Sequence, residues 1–182
     1  MADPLQRCIP FFVEPYTGLY DRPALEARLH EEILRACRYR YPLSLMLIAF
    51  DTAQSQQAVE WMPVLAEVLK RHTRRADVLA CYGSDALALL LPFTGEAGAL
   101  RLAARIRHLG QVMQPPASGK NRPAPMSIGV ASVPDGRGVD RDIFLERARR
   151  ALREAQQEGG DRIVVASPVC VADVEENGCS NA

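Results

Sequence analysis

The stretch "VLACYGSDALALLLP", Val78 to Pro92, constrains the fold of this chain more than any other. Two apolar runs of strand length surround Gly83-Ser84-Asp85, the pattern of a β-hairpin, and predict strands over Asp77–Cys81 and Ala86–Leu91. Helix-length segments bracket it. Upstream, "AVEWMPVLAEVLKRH" predicts a helix from about Ala58 to His72, with Leu65, Val68 and Leu69 inward and Pro63 tolerated only near its start. Downstream, "TGEAGALRLAARIRHLG" predicts another, with Leu100, Ala103, Ala104 and Ile106 inward and Gly110 at its end.

The remaining elements follow from the same signals. "TGLYDRP" is a turn leading into a helix, with Asp21 as N-cap and Pro23 in the first turn. Leu25, Leu29, Ile33, Leu34 and Cys37 form its apolar stripe, and Pro42 stops it. "LSLMLIAF" and "MSIGVASV" read as strands, "DRDIFLERARRALREAQQE" as a helix, and "DRIVVAS" as a last strand, with "QPPASGKNRPAP" a loop. The order α-β-α-β-β-α-β-α-β predicts an α+β domain, its helices covering a mixed sheet around a ferredoxin-like, palm-type core. Residues 14–167 form this domain. Residues 1–13, broken by Pro4 and Pro10, read as an arm, and 168–182 as a disordered tail.

At 182 residues one core is enough to bury about two-thirds of the unfolded surface. Formal charge is zero, which excludes bulk attraction to DNA, RNA or anionic lipid and leaves only local sites for charged ligands. Cys8, Cys37, Cys81, Cys170 and Cys179 show no metal-ligand spacing, and their odd count without a secretory leader predicts reduced thiols in a cytoplasm. No apolar run is long enough to insert in a bilayer. His30, His72 and His108 have no clustered partners and read as surface residues, while Trp61 and Met62 read as core.

"YTGLYDRPALEARL", "RRADVLACYGSDALALLLP", "AARIR", "SIGVA" and "ARRALREAQQEGGDRIVV" stand in the order and at the separations of a GGDEF domain. From roughly Glu14 to Ala166 the chain resembles that family of bacterial signalling proteins, whose palm-like fold condenses two GTP molecules into cyclic di-GMP. The signature is altered: Gly83, Ser84, Asp85, Ala86 and Leu87 stand where the family has G-G-D/E-E-F. Phosphodiester formation needs two divalent ions held by carboxylates from neighbouring strands. Asp85 keeps one of these positions, whereas Ala49 occupies the other, with Asp51 about 7 Å farther along the strand. "TAQSQQAVE" is too short and lacks the family's guanine-gripping residues, and its triphosphate-holding Lys and Arg fall at Gln156 and Gly160. The resemblance therefore implies a degenerate domain that is not an enzyme, with no cofactor, no bound metal and no Mg²⁺ requirement. Asp85 then reads as a turn residue with an Asx-type bond, and Gly83 as serving backbone geometry. A residual alternative keeps Asp51 and Asp85 on one metal with GTP.

Members of the family carry an inhibitory site for their product, built on R-x-x-D placed five residues before the signature. Arg74-Arg75-Ala76-Asp77 reproduces motif and offset, and Arg105 in "AARIR" matches a third contributor. A guanidinium fork suits guanine O6 and N7, and an ionised carboxylate suits its N1–H and N2–H₂. Arg105 can stack on the base or pair with a phosphate. In isolation the same motif is a solvated ion pair contributing about 0–1 kcal/mol. The resemblance implies a cyclic di-GMP receptor using Arg74, Asp77 and Arg105, signalling through a protein partner or homodimer. The rival reading is a nucleotide-independent interaction scaffold using the apolar arm "CIPFFVEP".

Overall fold

The computed structural model describes residues 13–51, 55–113 and 124–166. Nine elements follow in the predicted order: α1 (Arg22–Tyr39), β1 (Leu43–Phe50), α2 (Ser55–His72), β2 (Val78–Cys81), β3 (Ala86–Pro92), α3 (Glu96–Val112), β4 (Met126–Val133), α4 (Arg141–Gln157) and β5 (Ile163–Val165). The strands form one mixed sheet in the order β2-β3-β1-β4-β5. β1 lies at its centre, antiparallel to β3 and β4, with Leu45 opposite both Leu90 and Ala131. β2 pairs antiparallel with β3 as the predicted hairpin, and β5 runs parallel to β4.

Helices cover both faces, which is why β3 is a continuous apolar run and β1 is broken only by Ser44, neither strand alternating. Met46, Ile48, Leu87, Leu89 and Val130 pack under α2 and α3, meeting Leu65, Leu69, Ala103 and Ile106. Leu45, Leu47, Leu90 and Ala131 face the other way, onto Leu25 and Leu29 of α1 and Phe144 and Ala148 of α4. Sequence pattern thus yields an α+β, palm-like sandwich, as expected.

Local signals set the helix starts. Asp21 caps α1 by accepting the Ala24 N–H at 2.8 Å, with Pro23 in the first turn. Asp140 caps α4 through the Asp142 N–H at 2.7 Å. We expect Asp21→Ala to cost about 1 kcal/mol in chemical denaturation without altering the folded spectrum, as loss of an N-cap does.

Several sequence expectations are corrected. α1 ends at Tyr39, before Pro42, because Arg40 turns left-handed at φ 58° and caps the helix through its N–H to Ala36 O. Leu34 is 51% exposed, since one residue past Ile33 rotates it about 100° off the buried stripe. α2 starts at Ser55, so Pro63 sits more than two turns inside it. Interior proline costs about 3 kcal/mol, offset here by burial of Trp61, Met62, Leu65 and Leu69 on the sheet. In α3 the buried stripe is Ala99, Ala103, Ile106 and Gly110; Ala104 is exposed and Leu100 only half-buried. Gly110 lies within the helix, where a Cβ would come within 2.3 Å of Met126 Cε and 2.8 Å of Ala124 O. It admits the start of β4 and does not end α3.

Cys37 and Cys81 are buried thiols. Apart from Val13, which bridges to Tyr20, the expected arm falls outside the described residues. The loop over 114–123, the tail from 168, and Cys8, Cys170 and Cys179 do so as well. Among the described residues no helix is long and apolar enough to cross a membrane.

Candidate functional site

The R-x-x-D motif is a closed turn between α2 and β2. Asp77 N donates to Arg74 O at 3.0 Å, and Asp77 Oδ2 accepts the Arg74 N–H at 2.7 Å. That reciprocal pair is why Asp77 stands before the strand, which begins at Val78, and not in it. The backbone of the turn leaves the Arg74 side chain exposed and the Asp77 side chain half-buried.

Across from this turn, α3 presents Arg101 and Arg105 on one face, four residues apart. Arg105 Nη2 donates to the His72 carbonyl at 2.7 Å, bringing α3 to the C-terminal end of α2. Arg74, Asp77, Arg101, Arg105 and His72 thus line one cavity of about 340 Å³, with Leu91 and Leu102 among its apolar walls. The volume falls in the range of small-molecule sites, roughly 300–1,000 Å³. Burial pushes the Asp77 carboxyl above its ordinary value, while the Arg74 amide and guanidinium pull the other way. Arg75 lines no part of the cavity.

All three residues singled out by motif, Arg74, Asp77 and Arg105, therefore converge. His72 and Arg101 were missed. For Arg101 a signal existed, since four residues before Arg105 is the same helical face. His72 carried none, because its place depends on where α2 ends.

The altered signature lies at the other end of the β2–β3 hairpin. Gly83, Ser84 and Asp85 are exposed, whereas Ala86 and Leu87 are buried strand residues. The turn closes through backbone bonds, Tyr82 N and Gly83 N both reaching Ala86 O. Gly83 does not adopt positive φ, and a Cβ there would meet nothing nearer than Asp85 Oδ1 at 3.7 Å. The expected backbone role of this glycine is corrected accordingly.

Ala49 is buried and pairs with Ala86 across the strands. Asp51 accepts Ser127 Oγ on Oδ1 and the Asp161 N–H on Oδ2, each at 2.7 Å. It also packs against Gly160, which is left-handed at φ 73°. Asp51 thus anchors the approach to β5, and its two oxygens already have donors. Among the described residues no three His, Cys, Asp or Glu side chains are grouped to hold a metal ion. Replacing Asp51 with Ala should cost about 2 kcal/mol in urea unfolding, because the fully buried Ser127 hydroxyl and the Asp161 amide lose their acceptor.

The sequence model of the family described as "Diguanylate cyclase, GGDEF domain" matches residues 12–162. Diguanylate cyclase DgcP of Pseudomonas aeruginosa is 29% identical over 164 residues, covering 84% of this chain and 24% of its own length. The chain thus spans about a quarter of that relative. The FimX GGDEF domain of Pseudomonas aeruginosa superimposes with TM-score 0.76 at 24% identity, covering 84% of this chain and 98% of that one. The GGDEF domain of DgcB from Caulobacter crescentus, solved in complex with c-di-GMP, gives TM-score 0.75 at 18% identity, covering 86% and 94%.

These findings correct the expectation that the chain is not an enzyme. The family it matches is described by its cyclase activity, and the relative DgcP is named a diguanylate cyclase. Substituted signature positions do not take a chain out of an enzymatic family. With a matching sequence model over most of its length and a shared palm-like sheet, the chain belongs to the GGDEF-domain family.

Proposed function

We propose that this GGDEF domain is a receptor for cyclic di-GMP, which it takes at the cavity between the Arg74–Asp77 turn and α3. The carrying observation is that Arg74 and Asp77 of one turn and Arg105 of α3 line a single cavity. Guanine offers O6 and N7 to the Arg74 fork and N1–H and N2–H₂ to the Asp77 carboxylate. Arg101 and Arg105 stand where they can neutralise phosphate or cover a base face. Three guanidiniums against one carboxylate leave two positive charges, matching the two phosphodiester charges of the ligand.

The cavity opens on the outer surface, away from the signature turn. Bound nucleotide there can bridge two protomers or a protein partner, converting ligand concentration into association. Cyclic di-GMP is the compound named with DgcB, a protein of this fold.

Calorimetric titration of the purified chain with cyclic di-GMP is the test. Binding at micromolar ligand supports the reading, and an absence of heat at several hundred micromolar overturns it. Product chromatography after incubation with GTP and Mg²⁺ separately reads the synthetic activity for which the family is named.

A further inference from the structure

We infer that Gly98 holds open a space on the α3 wall of this same cavity, beside the Arg101 guanidinium, and that a phosphodiester of the ligand fills it. The inference rests on the binding reading above and assigns one part of the ligand to one place in the cavity.

Gly98 is the third residue of α3 and lines the cavity together with Thr94, Arg101 and Leu102. Glycine inside a helix is less favourable than alanine, and close approach of a ligand to bare backbone is one use that offsets the cost. Positive φ does not require glycine here, for Gly98 has none. Nor does the packing of two elements. At Gly110 and Gly129 a Cβ would strike backbone of a neighbouring segment, 2.8 Å from Ala124 O and 2.3 Å from Leu152 N. At Gly98 it would meet only two side chains within 4 Å, Thr94 Cγ2 at 3.0 Å and Arg101 Nη2 at 4.0 Å. Both of those residues line the cavity.

The two cavity-lining arginines of α3 are not equivalent. Arg105 Nη2 already donates to the His72 carbonyl at 2.7 Å. Arg101 is exposed and takes part in no hydrogen bond or ion pair among the described residues. Its uncommitted guanidinium stands at the edge of the space that Gly98 leaves. Phosphate is the anionic part of the ligand, and its oxygens suit a guanidinium fork. Bare backbone at position 98 lets those oxygens come within hydrogen-bond range of Arg101, where a side chain would stand in the way. Arg74 and Asp77, across the cavity, remain for guanine.

Thr94 supplies a rival account of the glycine, since its methyl group stands 3.0 Å from where a Cβ would be. The Thr94 hydroxyl donates to the Pro92 carbonyl at 3.1 Å, which holds the side chain in that orientation. Serine keeps the hydroxyl and lacks the methyl. A Thr94→Ser chain therefore removes the packing demand for glycine while leaving the ligand's space as it is. The two accounts then come apart by measurement.

The experiment measures cyclic di-GMP affinity by calorimetry for the whole chain carrying Thr94→Ser, alone and combined with Gly98→Leu, Arg101→Ala or both. Relative to Thr94→Ser alone, Gly98→Leu and Arg101→Ala should each weaken binding about three- to tenfold, the effect of one charge-assisted contact at a partly solvated site. Carrying both should cost no more than carrying either, because each removes the same contact. Gly98→Ala provides the same readout should leucine disturb the fold. Undiminished affinity with position 98 filled, or losses from the two sites that multiply, overturns the phosphate space at Gly98 and leaves the binding site standing. Absence of binding by the wild type overturns the site itself, and this inference with it.

Discussion

Replacing Gly129 with Val is expected to destabilise the fold by more than about 3 kcal/mol, read as a lowered urea midpoint in far-UV circular dichroism. Gly129 sits in β4 directly under α4. A Cβ there would lie 2.3 Å from Leu152 N, 2.5 Å from Ala148 O and 2.8 Å from Leu152 Cα. All three are backbone atoms, so no rotamer change relieves the clash, and the helix must move away. Yet α4 buries Phe144, Leu145, Ala148, Ala151, Leu152 and Ala155, and lifting it opens that whole interface. Gly129→Ala should act in the same direction at about 1–3 kcal/mol, the usual cost of overpacking. Gly83→Ala provides the contrast. That glycine needs neither positive φ nor close approach, so its replacement should leave the midpoint unchanged. A Gly129→Val chain as stable as the wild type would mean that α4 does not rest on β4 at this crossing.

The second large effect is on binding. Arg74→Ala should lower affinity for cyclic di-GMP by at least tenfold, within the roughly 5- to 150-fold that a bidentate guanidinium–guanine pair supplies. Stability should stay constant. The bond that closes the turn on Asp77 comes from the Arg74 backbone N–H, which alanine retains, and the guanidinium itself is exposed. Asp77→Ala is the less clean variant, since it removes both the proposed base contact and the acceptor that shapes the turn. Arg75→Ala, one residue away and outside the cavity, should bind like the wild type. Equal loss from Arg74→Ala and Arg75→Ala would indicate general attraction of an anion to surface charge and would remove the specific site.

The two sites occupy opposite ends of one short hairpin. Its paired segment runs from Val78↔Leu90 to Cys81↔Leu87, roughly 10 Å of strand. Buried on both faces, this hairpin is a stiff connection between the cavity at Arg74 and Asp77 and the signature turn.

Much of this was legible before any coordinates. The bounds of β1 and β4 match their mostly apolar runs residue for residue, because a strand covered on both sides is apolar apart from hydrogen-bonded residues such as Ser44 and Ser127. The cap at Asp21 was equally readable, since it is closed by a hydrogen bond over three residues. Pro63 and Gly110 were misread for one reason: each obeys a contact from a distant element against its own local preference. Leu34 and Ala104 show the limit of periodicity. Each is next to a truly buried residue, and a helix turns about 100° per residue.

The amino-acid order alone settles which segments become helix or strand and in what succession, because those depend on neighbours in the chain. Whether Arg101 and Arg105 look across at Arg74, and whether His72 joins them, depends on how α3 is rotated about its axis and where α2 stops. That rotation is set by Ala99, Ala103, Ile106 and Gly110 seeking the sheet, a choice made only when the layers pack.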